Sequence, residues 1–264
     1  MANPSEELIR TAGYGRAGFA QTYDRYRPEP PPALLDFLCH AAGVERPRIV
    51  VDLGCGTGLS TRAWAERAEE VVGVEPQGPM RARAEEATDA PNVRYVAAYS
   101  DATGLPDSCA DVVTCSQSFH WMEPVATLAE AARILRAGGV FAAYDYDVPP
   151  FVHPQVDAAF ERYLQLRREV RERRGIQMGV ARWPKDEHLR RIRESGYFRL
   201  AREIVLHGDS QGGAERVVGA ALSIGPVFEE LDPLVEELRA VAARVLGDRV
   251  VPWLVGYRVR LGWK

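Results

Sequence analysis

Short apolar runs rich in β-branched residues recur along the first 146 positions: RIVVDL, EVVGVE, VRYVAA, ADVVTCS and GGVFAAYDY. Between them lie segments with helical spacing, STRAWAERAEE, PMRARAEEATD and PVATLAEAARILRAGG. Apolar strands alternating with helices of ten or more residues imply βαβ units and a parallel sheet. The spacing predicts that the last of these helices closes at Ala137-Gly138-Gly139, with a strand following at once. After Tyr146 the rhythm changes. DVPPFVHP is a proline-rich break, QVDAAFERYLQLRREVRERRG reads as a long amphipathic helix, and PKDEHLRRIRESGYF as a second one closed by Ser195-Gly196. RLAREIVLH and LVGYRVRLGW read as two late strands, with helical segments over 211–223 and 229–246 between them.

This order predicts a doubly wound α/β sheet of about seven strands, the last antiparallel, with a helical cap inserted after strand five. The expected divisions are an N-terminal lid or helix over 1–30, an α/β core over 31–147 and a helical cap over 148–195. Residues 196–264 then supply the closing strands and helices, together with part of the cap.

Composition narrows the class. A chain of 264 residues, 46% hydrophobic and 27% charged, has the makeup of an ordinary globular protein. No apolar run approaches the roughly 20 residues that span a bilayer, and MANPSEELIR has no apolar segment behind a basic start. The expected address is the cytoplasm. The cysteines at 39, 55, 109 and 115 form no C-x-x-C pair, so buried reduced thiols are expected. The five histidines lack metal-ligand spacing, and no metal is expected. A net charge of −4 argues against a general nucleic-acid binder. Charge is uneven, however: between Arg162 and Arg202, twelve Arg and one Lys face five acids. Two readings stay open for that stretch, guanidinium groups holding an anionic substrate under the cap or the solvated face of an amphipathic helix. Nothing in the pattern speaks to oligomeric state.

The stretch VVDLGCGTGLS, residues 50–60, sets Gly54, Gly56 and Gly58 directly behind an apolar run ending in Asp52 and Leu53. A strand, a glycine turn and a helix put bare backbone at the carboxyl edge of the sheet, where a ligand can lie close to the main chain. Dinucleotide sites require G-x-G-x-x-G. Here the third glycine falls at 58, and Leu59 stands where that motif needs glycine. The second strand ends at Glu75, 19 residues beyond Gly56, where a carboxylate can accept from both hydroxyls of a ribose.

VVDLGCGTG, VVGVEPQGPM, YSDATGLPDSCADVVTCSQSFHWM and EAARILRAGGVFAAY, in this order over roughly 19–146, resemble the class I S-adenosylmethionine-dependent methyltransferases. YDRYRP and SQSFHW resemble the small-molecule branch that includes trans-aconitate methyltransferase-like proteins. The resemblance implies a Rossmann-like sheet, S-adenosylmethionine as cofactor, S-adenosylhomocysteine as product and a small-molecule methyl acceptor. It implies that Gly54, Cys55, Gly56, Thr57 and Gly58, with Asp52 beside them, meet the methionine portion of the cofactor. Glu75 would hold the ribose, and Pro76 and Met80 would shape the adenine side. In the segment Ser100, Asp101 and Ala102, Asp101 would accept from the adenine amino group while the Ala102 N–H faces a ring nitrogen. Ser116 and Gln117 would lie beside the amino acid moiety. Tyr23 and Arg27 would sit on a helix folded over the cofactor, with Arg27 a carboxylate partner.

Methyl transfer from a sulfonium needs alignment and exclusion of water, and needs a general base only where the acceptor is protonated. His120, after strand four, is the candidate for a catalytic or substrate-facing group, against a structural histidine under the cap. Trp121 reads as a pocket wall or a core aromatic. Tyr144 and Tyr146 share one face of strand five, with Asp145 and Asp147 on the other, so a substrate contact and a solvated strand end both stay open. Tyr14 belongs to a mobile lid or a disordered tail. The function expected is methylation of a small molecule, a carboxylate or a natural-product intermediate. A protein that binds the same cofactor for sensing or other chemistry is the alternative.

Overall fold

A computed structural model describes residues 18–175, 183–225 and 228–264. Tyr14 therefore lies outside the described residues, as does most of the expected lid. Seven strands form one sheet: β1 (Ile49–Leu53), β2 (Glu70–Val74), β3 (Val93–Val96), β4 (Ala110–Ser116), β5 (Leu135–Tyr146), β6 (Leu200–Gly212) and β7 (Val251–Trp263). Their order is β3-β2-β1-β4-β5-β7-β6. The first five run parallel, while β7 is antiparallel to both β5 and β6. The chain winds outward from β1 to β3, then returns across β1 to β4. That reversal opens a crevice at the carboxyl ends of β1 and β4.

The parallel strands read as unbroken apolar runs because both faces are covered. On one face Val51, Leu53, Val72, Val113 and Phe141 pack beneath α5 (Pro124–Ile134), through Leu128, Ala131 and Ile134. On the other, Val50, Val71, Val112, Val140 and Tyr144 meet Leu34, Leu35 and Leu38 of α2 (Pro32–Ala41), together with Trp64.

Three expected elements come out differently. The helix expected over STRAWAERAEE shrinks to α3 (Leu59–Ala63), because Trp64 and Ala68 turn into the core and Glu70 already opens β2. α5 stops at Ile134 rather than at the glycines. Leu135 pairs with Ala110, and Gly138, at φ +75°, lies within the register shift between Ala110 and Val112. The span 148–195 does not pack as one cap. α6 (Pro154–Arg173) joins α8 (Ala214–Leu222) and α9 (Asp232–Leu246) in a separate cluster with Trp253. α7 (His188–Glu194) instead turns Ile192 and Leu189 onto the main sheet.

Cations of the Arg-rich stretch meet acids at the surface: Arg162 pairs with Glu237, Arg174 with Glu230, and Arg190 with Glu187 and Glu194. Exposed pairs of this kind are screened by water and add little net stability. They form the solvated face that helical spacing implies. No described helix is long and apolar enough to cross a membrane.

α1 (Phe19–Tyr26) crosses from α4 (Gly78–Glu86) to α8. Asp24 accepts from Arg62 at 2.6 Å and from Arg83 at 2.9 Å, while Arg25 and Tyr26 reach Glu215. These contacts hold Tyr23 and Arg27 over the crevice.

Candidate functional site

The three glycines of the turn have three different reasons to be glycine. All take left-handed backbone, at φ +65° for Gly54, +58° for Gly56 and +81° for Gly58. A Cβ on Gly54 would press on Met122 and Ser118. One on Gly56 would meet only the end of Met80, at 3.4 Å, so this is the position left open toward the crevice. One on Gly58 would drive into the Tyr95 hydroxyl. Gly54, Cys55 and Gly56 line the cleft, and Gly58 and Thr57 do not. Gly58 is packed beneath against Tyr95, and Thr57 is fully buried.

Asp52 also departs from its expected place. It is fully buried below the turn and accepts from Thr61 Oγ1 at 2.8 Å and Thr114 Oγ1 at 2.9 Å. Burial pushes its carboxyl up to about 6, opposed by hydrogen bonds from Thr61, Thr114 and Ser60. Asp52 holds the floor of the turn and contributes no surface to the cleft.

Glu75 does reach the cleft. Its Oε2 accepts from the Gly56 N–H at 3.0 Å and its Oε1 from the Gln77 N–H at 2.8 Å. Burial raises its pKa, while these two backbone donors and the charge of Arg81 pull it down. Each oxygen keeps a further lone-pair direction for a ligand hydroxyl. Pro76 and Met80 complete that end. Ser100 lines the wall and bonds Thr127 through its hydroxyl. Asp101 follows just behind the wall and does not line the cleft itself; its Oδ1 is shielded from solvent and has no hydrogen-bond partner among the described residues. Ala102 is a correction: its N–H donates to the Tyr99 carbonyl at 3.2 Å in a tight turn, so it is not available to a ring nitrogen.

At the far end, Ser116, Gln117, Trp121 and Tyr146 line the cleft opposite Tyr23 and Arg27. The Arg27 guanidinium lies over the Tyr23 ring and donates to the Tyr146 hydroxyl and the Ser223 carbonyl. Tyr144 is buried beneath the turn, its hydroxyl bonded to Ser60, and it lies outside the wall. His120 is likewise no part of the wall. It is 3% exposed, with Nδ1 3.9 Å from Asp145 Oδ1 and its carbonyl accepting from the Trp183 N–H. Its neighbourhood is an ion cluster in which Asp145 also meets Lys185 at 2.6 Å and Arg260 at 2.9 Å. His120 thus sits behind the wall, against Trp121 and the ion cluster, and not on the cleft surface.

Sequence reasoning missed Gln77, Tyr99, Ser118, Met122 and Pro28 on the cleft wall. Each stands within two residues of one that was singled out, so reading each motif one residue further would have found most of them.

The glycine turn predicts unequal costs. Gly58→Ala combines left-handed backbone, about 1–2 kcal/mol, with overpacking of about 1–3 kcal/mol, whereas Gly56→Ala carries only the first. Urea unfolding should show Gly58→Ala the less stable by at least about 1 kcal/mol, and equal midpoints would contradict the Tyr95 contact. Asp52 predicts a pH effect. Its folded-state pKa lies above its ordinary value, so the native state holds the extra proton between about pH 4 and 6. The stability tied to that proton is present in acid and lost as pH rises through about 6. Between pH 5 and 7 wild type should lose about 1 kcal/mol relative to Asp52→Asn. Parallel profiles would rule out the buried carboxylate as the source.

Comparison with known proteins agrees with this geometry. Residues 51–143 match the family model described as a methyltransferase domain. An uncharacterised methyltransferase of Mycobacterium bovis is 38% identical over 119 residues, covering 44% of this chain and 46% of that protein. A malonyl-[acyl-carrier protein] O-methyltransferase of Pseudescherichia vulneris is 32% identical over 132 residues, 50% of this chain and 51% of its own. The chain thus spans about half the length of the curated relatives it matches. Among solved structures, one described as a type II methyltransferase from Anaeromyxobacter dehalogenans superposes with a TM-score of 0.65 at 27% identity, covering 90% of this chain and 98% of that one. The doubly wound seven-stranded sheet, the glycine turn at its switch point and these likenesses converge: residues 51–143 match a methyltransferase domain, and the chain is similar in sequence and fold to methyltransferases.

Proposed function

We propose that this protein binds S-adenosylmethionine in the cleft at the ends of β1, β2 and β4 and methylates a small molecule, releasing S-adenosylhomocysteine. The observation that carries the reading is Glu75. Its two oxygens are held by backbone N–H groups of Gly56 and Gln77 at the tip of β2, leaving acceptor capacity that suits a cis-diol. The solvent-shielded Asp101 Oδ1, beside the Ser100 wall, supports an amino group on a bound base. Gly56, where an added Cβ would meet only Met80, supports close approach of the methionine portion to the backbone.

When bound, S-adenosylmethionine supplies a methyl group already activated on a sulfonium. The work left to the chain is alignment and exclusion of water, worth up to about 7–11 kcal/mol in favourable intramolecular cases. Tyr23 on α1 and Arg27 directly after it cover the cleft, and Trp121 and Tyr146 give its acceptor end aromatic walls. The acceptor we infer is a carboxylate or a natural-product intermediate. A carboxylate needs no general base, consistent with His120 lying behind the wall. The matched Pseudescherichia relative, named for O-methylation of malonyl-[acyl-carrier protein], supports an acid among the acceptors of related enzymes.

A thermal-shift comparison with S-adenosylhomocysteine, S-adenosylmethionine and NADH tests the cofactor. At 100 times its dissociation constant a ligand adds about 2.7 kcal/mol, which for a chain of this size is a rise of several degrees. The sulfur nucleosides should raise Tm. Glu75→Ala should weaken them at least about 30-fold, the loss of about 2 kcal/mol of charge-assisted hydrogen bonding. A shift with NADH alone would overturn the reading. Nucleoside binding without methyl incorporation into any of a panel of acids would favour a cofactor-binding protein of other chemistry.

A further inference from the structure

The chain holds 33 cationic Lys and Arg residues, and only two of them are lysines, Lys185 and Lys264. Lys185 stands where a compact ammonium fits better than a guanidinium fork. Its Nζ is 2.6 Å from Asp145 Oδ1 and 2.7 Å from Gln117 Oε1, so one point charge with three donors serves two acceptors at once. The other oxygen of Asp145 takes Arg260 Nη1 at 2.9 Å, and Arg260 also reaches Glu203 at 2.8 Å. Asp145 and Arg260 are both more than nine-tenths buried, which anchors Lys185 from behind.

Gln117 is the residue that this anchor reaches in the cleft. It leaves β4 in left-handed backbone, φ +54°, rare for a residue with a side chain. Its own N–H donates to the Tyr144 carbonyl at 2.9 Å, and its Nε2 donates to the Tyr146 carbonyl at 3.2 Å. The carboxamide therefore has one permitted orientation. Turning it over would set an N–H₂ against an ammonium and a carbonyl oxygen against a carbonyl oxygen, two repulsive contacts in place of two attractive ones. Of the two N–H bonds of that amide, one is occupied by Tyr146 and the second is what it has left for the cleft.

We propose that Lys185 is a specificity-determining residue: by fixing the Gln117 carboxamide, it makes the acceptor end of the cleft a hydrogen-bond donor suited to the carboxylate of a small-molecule acceptor. The inference deepens the methyltransferase reading and rests on it for the identity of that end of the cleft. Lys185 acts through Gln117, as a positioning residue. Arg27 on the same cleft adds a donor-only group. The oriented amide thus selects against amine acceptors, because it sets an N–H donor against the donors of an ammonium.

The test uses benzoate and benzylamine as matched probes, titrated by ligand-observed NMR onto the full-length protein with and without S-adenosylhomocysteine. Wild type should prefer benzoate by at least about tenfold. Lys185→Met should reduce that preference at least about fivefold and shift the Gln117 side-chain amide resonances. Gln117→Glu, which keeps a partner for Lys185 but removes the N–H, should abolish the preference in a chain whose ion cluster is intact. A preference unchanged in both variants, or absent from wild type, would overturn the proposal. Failure of the nucleoside to bind at all would count against the cofactor reading instead, because the probe comparison is also read without it.

Discussion

The ends of three neighbouring strands are tied together by backbone bonds that continue the sheet beyond its last residues. The Gly54 N–H donates to the Val74 carbonyl at 2.8 Å, and the Glu75 N–H to the Val96 carbonyl at 3.0 Å. The first bond requires the chain to turn immediately after Leu53, in backbone that only glycine adopts at little cost. The second sets Glu75 at a fixed height beside that turn. Its carboxylate then closes the arrangement by accepting from Gly56. Below, Asp52 joins the β1 floor to Thr61 of α3 and Thr114 of β4. A buried, hydrogen-bonded carboxylate of this kind is costly to bury and strict in geometry. The cleft is consequently part of the sheet's own hydrogen bonding, which gives its walls rigid support.

The opposite end of the cleft is set by charge rather than by backbone. Asp145 on β5, Arg260 on β7 and Glu203 on β6 form a line of alternating sign across the antiparallel half of the sheet, and Lys185 extends it to Gln117. Buried ion pairs contribute little net stability when fully desolvated, and removing one partner is costly. Their effect here is positional. They seat residues 183–188 over the ends of β4 and β5, where the Trp183 N–H meets the His120 carbonyl and His188 packs on Phe119. Burial, with the charges of Arg260, Arg191 and Lys185, pushes the His188 pKa down to about 3, so this ring stays neutral in the cluster.

The parallel core was legible in the sequence because strands covered on both faces read as apolar runs, as in the IVV of β1 and the VVGV of β2. Motif order then carried the likeness to methyltransferases and most of the cleft wall. What could not be read depends on contacts distant in sequence. Gly58 owes its identity to Tyr95, 37 residues later in the chain, and His120 is drawn from the cleft toward Asp145 and the Lys185 segment. Ala102 looked available because a motif records residue types and not where each N–H points. The division of 148–195 between two packing units turned on α7 alone, whose few apolar residues give too short a pattern to say which surface they cover.

A crystal structure of the protein with S-adenosylhomocysteine tests most directly whether the nucleoside lies across Glu75 and Asp101, as proposed. The predicted result is ribose hydroxyls on the Glu75 carboxylate, the adenine amino group on Asp101 Oδ1 and the amino acid portion against Gly54 to Gly56. A nucleoside bound elsewhere, or one that leaves both carboxylates without a ligand contact, would contradict the account.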